Sequence, residues 1–467
     1  MKGREREIET LERELDADRP SMIVVYGRRR VGKSTLLAHV CADRSAVYYQ
    51  ATEVVGSINL SLFKDEISQL EGVNSPILEG IESWEGVLAY VETLADDHAA
   101  ANGENLLVVF DEFPYLCEAV QGLPSVIQKV VDRINRNGTP LDIVLCGSQI
   151  SFMTEMLAEK NPLRGRQTLE LDVQPLPYRE AAEFLPDWSA VDALEAYGVF
   201  GGMPYYLQFL DPELGLRENV VNTVLRPGAP LGNEAYNVLQ SELRTPRRFA
   251  SVLQAIGTGC TTTGDILGRT AEISSGSQLT PYINKLEALR LIRVTRSLDA
   301  KPKARNRRYY VADPYLEFWF RFGLPNASAL AKGHAEDVYD HAIAPHFSGF
   351  MGEIFEWISR EYLERYAGDV LPAPPREIGK IWGADYDIDV AATLLDDTVV
   401  YAECKWWDSE VGMNVLRDLR TDASKTNYGA GADELFVLFS KSGFTEELER
   451  EADRAGDVLL IEADVLL

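Results

Sequence analysis

The stretch Ser21-Met-Ile-Val-Val-Tyr26-Gly27-Arg28-Arg29-Arg30-Val31-Gly32-Lys33-Ser34-Thr35 decides the fold of the first part of the chain. The apolar run before Gly27 has the length of a buried strand, and the periodic segment Thr35–Val40 after it reads as a helix. Between them, Gly27 to Ser34 match GxxxxGK(S/T) in full. Glycines let the backbone wrap a phosphate, and successive N–H groups at a helix N-terminus supply the positive field. Lys33 is expected to reach the terminal phosphates and Ser34 to ligate Mg²⁺, with Gly27, Arg28, Arg29, Arg30, Val31, Gly32 and Thr35 completing the nucleotide contacts. The three consecutive arginines also suit a partner surface.

Around this loop, residues 1–175 alternate strand and helix, with Ser21–Tyr26, Ala46–Tyr49, Leu106–Phe110, Asp142–Cys146 and Gln167–Val173 as the strand-like runs. Such alternation predicts an α/β fold with a parallel sheet covered on both faces. Leu106–Phe110 ends in Asp111-Glu112, so Asp111 is expected to hold the Mg²⁺ shell and Glu112 to act as the catalytic base toward water. The next strand ends in Cys146-Gly147-Ser148-Gln149, where Ser148 suits either a γ-phosphate contact or a helix N-cap.

Beyond residue 175 the pattern turns helical and is interrupted by Gly201-Gly202 and by Pro204, Pro212, Pro227 and Pro230. Residues 176–235 read as a helical lid and linker. From 236 to 325, helices at Ala235–Leu243, Arg247–Gly257, Thr263–Gly268 and Ser277–Leu289 precede strand-like runs at Ile292–Ser297 and Arg308–Val311. The hairpin turn is expected in DAKPKARN, which gives the outline of a winged helix-turn-helix. After a break expected at Gly323–Ser328, residues 326–467 read as a further α/β domain.

The composition narrows the function. There are 46 Lys+Arg against 73 Asp+Glu, a formal charge of -27, which excludes wholesale coating of nucleic acid. Yet Lys285–Arg308 carries Lys285, Arg290, Arg293, Arg296, Lys301, Lys303, Arg305, Arg307 and Arg308 against only Glu287 and Asp299. A cationic helix and wing suit DNA phosphates and the major groove, or docking on acidic surface of this same chain. The apolar runs are of strand length and the N-terminus is charged, so no membrane association is expected. Five scattered cysteines without CxxC suggest a reducing, cytoplasmic setting. The five histidines form no HExxH or triad spacing.

In the last domain, Asp389 in YDIDVAA and Glu403 with Lys405 in VVYAECKWW form the second constellation. Glu403 and Lys405 share a face of a strand because side chains alternate with period two. Two carboxylates on adjoining strands can bind a hard divalent cation while the lysine positions water or stabilises a scissile phosphate. The same residues also fit the solvated face of an amphipathic hairpin.

The chain resembles the prokaryotic P-loop ATPases of the AAA+/STAND group called archaeal-type ATPases. The resemblance rests on GREREIETLEREL (3–15), YGRRRVGKSTLL (26–37), VVFDEFPYL (108–116), CGSQISFM (146–153), PLRGRQTLELDVQPLPYREA (162–181) and GGMPYYL (201–207). It implies ATP as cofactor with Mg²⁺, Ser148 in a sensor position, and Arg166 or Arg164 near the γ-phosphate. The C-terminal pattern resembles the PD-(D/E)XK nuclease signature, with Asp389, Glu403 and Lys405 as catalytic residues and Asp389, Glu403 and the helix-borne acid Glu356 as metal ligands. Asp387 would be an additional acid there, and Tyr386-Asp387 replaces a more usual polar-Glu pair. The resemblance thus implies a P-loop core at 1–175, a lid, a winged helix and a restriction-endonuclease-like domain at 326–467. The function expected is an Mg-ATP hydrolase that binds DNA and cleaves it in a metal-dependent way. The alternative is a STAND-like switch whose C-terminal domain binds nucleic acid or protein without cutting, and a homo-oligomer or protein partner suits either.

Overall fold

The computed structural model describes every residue except Lys160, Arg244 and 302–305. The expected hairpin turn, with Lys303 and Arg305, therefore lies largely outside the described residues. The chain divides into two compact units, one of Met1–Leu176 with Met203–Tyr205 and one of Pro177–Gly202 with Tyr206–Leu467.

The first unit opens with helix α1 (Glu5–Leu15) and strand β1 (Met22–Tyr26), followed by helix α2 (Lys33–Cys41). Strands β2 (Ala46–Gln50), β3 (Leu106–Asp111), β4 (Leu141–Gly147) and β5 (Leu169–Asp172) complete a five-stranded sheet ordered β2-β3-β4-β1-β5. Every pairing is parallel. Strands β1, β3 and β4 are buried along their whole length, as expected of parallel strands covered on both faces. Because the strands run the same way, Tyr26, Asp111 and Gly147 all end at one edge of the sheet. Helix α3 (Leu123–Asn137) inserts Ile127, Val130, Val131 and Ile134 into one side of this core. Helix α4 (Ile150–Met156) follows β4.

In the second unit, helices α5 (Pro246–Gly257), α6 (Thr263–Arg269) and α7 (Gly276–Ala288) precede the antiparallel hairpin of β6 (Ile292–Arg296) and β7 (Arg307–Val311). Side chains of Thr262 and Ser275 cap α6 and α7. The expected break at Gly323–Ser328 is helical instead: α8 (Pro314–Phe318) runs into further helical turns at Trp319–Gly323, Leu324–Asn326 and Ala327–Leu330. Its aromatic residues explain why, since Phe318, Phe322 and Phe350 pack edge to face or tilted and bury the segment.

Helix α9 (Ala344–Arg365) leads to β8 (Pro375–Trp382), β9 (Asp387–Leu394) and β10 (Val399–Lys405), then helix α10 (Met413–Ala423), β11 (Glu434–Ser440), helix α11 (Glu446–Ala455) and β12 (Val458–Glu462). The sheet order is β12-β11-β10-β9-β8. It is mixed: β8–β9 and β9–β10 pair antiparallel, while β10–β11 and β11–β12 pair parallel. Neither β8 nor β12 was expected from the sequence. Among the described residues no helix is long and apolar enough to cross a membrane.

Candidate functional sites

The loop between β1 and α2 is shaped by its glycines. A Cβ on Gly27 would stand 2.2 Å from the carbonyl oxygen of Val173, and Gly32 takes a φ of 95°, conformational space that other residues avoid. Arg30, with a φ of 71°, also turns left-handed, and its guanidinium stacks 4.0 Å over the Tyr205 ring. Arg29 donates to the Tyr115 hydroxyl at 2.7 Å. Lys33 is buried, and its Nζ donates to the carbonyls of Gly27 (2.9 Å) and Arg28 (3.0 Å). The ammonium is thus gathered into the loop that the sequence marked for phosphate. Thr35 lies exposed on the first turn of α2.

Asp111 is buried at the end of β3 and accepts three hydrogen bonds. Ser34 Oγ donates to its Oδ2 at 2.6 Å, the Tyr48 hydroxyl to the same oxygen at 2.8 Å, and the Glu112 amide to its Oδ1 at 2.9 Å. Burial and then the Asp111 carboxylate raise the Tyr48 pKa far above its ordinary value, so Tyr48 acts as a fixed donor. The convergence of a hydroxyl and a carboxylate from the two ends of the motif fits a Mg²⁺ shell built on Ser34 and Asp111. Glu112 adopts a φ of 51°, the kind of strained backbone that persists where the surroundings over-determine it. Its carboxylate accepts from Ser148 Oγ at 2.9 and 3.1 Å. Ser148 is therefore no helix cap; α4 begins after Gln149 without a side-chain cap. Arg166 is held by Asp132 at 2.7 and 2.9 Å, and Arg164 lies 3.2 Å from Glu159.

Two residues here carried no role in the sequence reading. Tyr48 could have been found from strand periodicity, because it stands on β2, the strand paired with β3. Arg4 lay inside the quoted GREREIETLEREL. It is almost fully buried, pairs with Glu7 at 2.5 Å and donates through Nη2 to the carbonyls of Val31 and Gln174, each at 2.8 Å. One guanidinium thereby ties the phosphate loop to the chain after β5.

The second site gathers on β8, β9, β10 and α9. The register of β9 on β10 sets Ala402 opposite Val390, so Asp389 and Glu403 fall at facing positions. Asp389 Oδ2 accepts the amide of Cys404 at 3.0 Å, and Lys405 Nζ stands 2.5 Å from Glu403 Oε1. Burial, then the neighbouring Asp389, pushes Glu356 up to about 8 and Glu403 up to about 7. Lys380, which the sequence reading passed over, ion-pairs with Glu356 and lies 3.7 Å from Asp389 Oδ1. Burial opposes its charge, yet Glu356 and Asp389 carry its pKa above the ordinary lysine value. Among the described residues no trio of His, Cys, Asp or Glu is already drawn in around a common point as metal ligands. Asp389 and Glu403, side by side with oxygen donors, still have the chemistry a hard cation selects. The additional acid expected at Asp387 does not join them: it pairs with Arg308 at 2.8 Å, because that arginine is laid 4.5 Å over Trp382 beside it.

The basic hairpin is thus partly turned inward. Besides Arg308, Arg293 stacks 4.0 Å over Trp357 and donates to the Ala312 carbonyl at 3.2 Å. Arg296, Lys301 and Arg307 remain exposed.

Comparison with known proteins bears on the fold and family of the first unit. Residues 2–210 match a family described as an ATPase domain predominantly from Archaea, and residues 319–416 match one described as archaeal and bacterial proteins of unknown function. The uncharacterized protein MJECL04 of Methanocaldococcus jannaschii is 31% identical over 410 residues, which span 87% of each chain. The Walker-type ATPase PABY2304 of Pyrococcus abyssi shares the fold at a TM-score of 0.53 and 20% identity, covering 69% of this chain and 96% of its own. With the phosphate loop, the buried Asp111 and the β2-β3-β4-β1-β5 sheet, these matches show that the chain belongs to the archaeal-type P-loop ATPase family and carries at its C-terminal side a domain shared with archaeal and bacterial proteins.

Proposed function

We propose that the protein hydrolyses Mg-ATP at Lys33, Ser34, Asp111 and Glu112 and acts on DNA through its second unit. The observation that carries the first part is the continuous set Ser34–Asp111–Glu112–Ser148, linked by hydrogen bonds at the edge where β1, β3 and β4 end. ATP would take Lys33 from the loop carbonyls, and Mg²⁺ would supply charge neutralisation between the phosphates. Glu112 would orient the attacking water, with Ser148 fixing the carboxylate until the γ-phosphate arrives. Arg28, Arg29, Arg30 and Thr35 would line the nucleotide, and Arg166 would need to leave Asp132 to reach it.

For DNA, α5–α7 with the β6–β7 hairpin support a winged helix. The outer positions of α7, Ser277, Gln278, Thr280 and Asn284, are exposed hydrogen-bonding side chains, suited to base edges, while Arg296, Lys301 and Arg307 suit phosphates. The order of α9, β8–β10, α10 and β11 with Asp389, Glu403 and Lys405 supports a PD-(D/E)XK-type site, where Asp389 and Glu403 would hold the divalent ion and Lys405 would act on the scissile phosphate. A second reading, an ATP-dependent switch that binds without cutting, draws on one observation: the carboxylates of the cluster are already paired with Lys380 and Lys405. Incubating the full chain with duplex, single-stranded and branched DNA, with Mg²⁺ or Mn²⁺ and with or without ATP, separates the two. Metal-dependent cleavage lost in Asp389→Ala and Glu403→Ala supports cutting; ATP turnover with intact DNA leaves the switch.

A further inference from the structure

The C-terminal cluster contains a cation that no motif accounts for. Lys380 sits on β8, two strands away from the Glu403–Lys405 pair, and only 7% of it is exposed. Its Nζ ion-pairs with Glu356 of α9 and lies 3.7 Å from Asp389 of β9. A buried ammonium is costly unless it is paired, and removing one partner of such a pair leaves the other uncompensated. Both partners of Lys380 are acids of the cluster itself.

Its main chain is fixed from the opposite side. The amide of Leu298 donates to the Lys380 carbonyl at 3.0 Å, and the Trp382 amide donates to Ser297 Oγ at 2.9 Å. Asp299 then accepts from the hydroxyls of Tyr386 (2.7 Å) and Thr426 (2.9 Å). The segment leaving β6 therefore holds β8 at Lys380 and at Trp382 two residues on, and the ammonium cannot swing out with a loose strand. An ammonium held on Glu356 takes the lone pairs that a divalent ion would need, and its charge repels a second ion from that end of the cluster.

We propose that Lys380 is a built-in counter-cation: it removes Glu356 from the metal shell and restricts the cluster to a single divalent ion bound through Asp389 and Glu403. This rests on the metal-site reading of Asp389 and Glu403 given above. It reassigns Glu356 from ligand to partner of Lys380, and it makes Lys380 a positioning residue that sets ion number.

The test is Mn²⁺ binding to the full chain by calorimetry and by electron paramagnetic resonance, without nucleotide and in an Asp111→Asn background that silences the other unit. The parent should bind one ion. Glu356→Gln leaves the ammonium uncompensated beside Asp389 and should weaken binding by a few-fold at most, well short of the ~10–100-fold loss that follows removal of a group supporting a metal. Lys380→Gln, or Lys380→Met if the glutamine variant misfolds, should bind Mn²⁺ more tightly or take up a second ion, and adding Glu356→Gln should reverse that gain. A loss of roughly tenfold or more in Glu356→Gln overturns the proposal, as does weaker binding in a folded Lys380 variant. If the parent binds no Mn²⁺ but Lys380→Gln does, the counter-cation stands and the metal-site reading of the parent falls. If neither binds, both fall.

Discussion

The two sites of this molecule hold their acids in different ways. In the first unit, Asp111 and Glu112 are held by hydroxyls and an amide, while Lys33 Nζ donates to the loop carbonyls of Gly27 and Arg28. In the second unit, carboxylates and ammonium groups neutralise one another directly, Lys380 on Glu356 and Asp389, Lys405 on Glu403. Acids held by neutral donors keep their charge available to a cation at little cost. A site that has already paired its ions must break a pair before it binds anything charged. Ready uptake of Mg²⁺ with the nucleotide is therefore expected in the first unit and selective, limited cation binding in the second.

The largest effect should come from breaking the first site. Lys33→Ala is predicted to lower ATP turnover by about 10²–10³-fold, the usual cost of removing a preorganised charge from a phosphoryl transition state. It should also weaken nucleotide binding, checked by phosphate release and by equilibrium titration. Turnover within a few-fold of the parent would remove the distinction between the sites.

Arg4 comes next, because its role is to hold the phosphate loop in shape. Arg4→Ala should cost about 2–4 kcal/mol of stability, as two carbonyls lose a buried charged donor and the partly exposed Glu7 loses its partner. Urea unfolding followed by a probe in the first unit measures this; a loss below about 1 kcal/mol would mean that the loop keeps its geometry unaided.

A smaller effect tests internal charge in the second unit. Glu317 of α8 is buried, and burial followed by the nearby Glu353 pushes its carboxyl up to about 8 from an ordinary 4.5. The folded state then binds a proton that the unfolded state releases, so stability is fully present below about 4.5 and falls as pH rises through about 8. Glu317→Gln should remove that decline, so that its advantage over the parent is already growing at pH 6 and levels off above pH 8. Parallel pH profiles for parent and variant would contradict the burial argument.

The smallest effect belongs to the hairpin. Neutralising Arg296, Lys301 and Arg307 should reduce the salt dependence of DNA binding by about 0.9 in log–log slope per lost phosphate contact. Arg308→Ala should act chiefly on stability, since that side chain is spent on Asp387 and Trp382. An unchanged slope would return the hairpin to a purely packing role.

Legibility followed sequence distance. The phosphate loop is one string of adjacent residues, so its chemistry could be read directly, and strands β1, β3 and β4 were placed to within a few residues because buried parallel strands are continuous apolar runs. Asp111 and Glu112 were legible for the same reason. The C-terminal cluster draws on positions from Glu356 to Lys405 in four elements: Asp389, Glu403 and Lys405 could be read on adjoining strands and Glu356 through the resemblance, while Lys380 went unread. Strand β8 was missed because Pro375, Gly379 and a buried Lys380 argue locally against a strand; its pairing with β9 and its bonds to the hairpin override that. Arg4 was quoted for its motif but its burial depends on folding onto Gln174, a contact across the whole unit. Asp387 was expected beside the metal, and Arg308 either on DNA or on acidic surface of this same chain; for Arg308 the second alternative holds, because it pairs with Asp387.

The central claim, that the first unit turns over Mg-ATP through Glu112, is tested most directly by Glu112→Gln in the full chain. Glutamine keeps the shape and can still meet Ser148, but it cannot draw a proton from water. Bound ATP and released phosphate should be followed in the same sample. The account predicts nucleotide binding like the parent's with phosphate release reduced by about 10²-fold or more. Phosphate release at the parent's rate would contradict it.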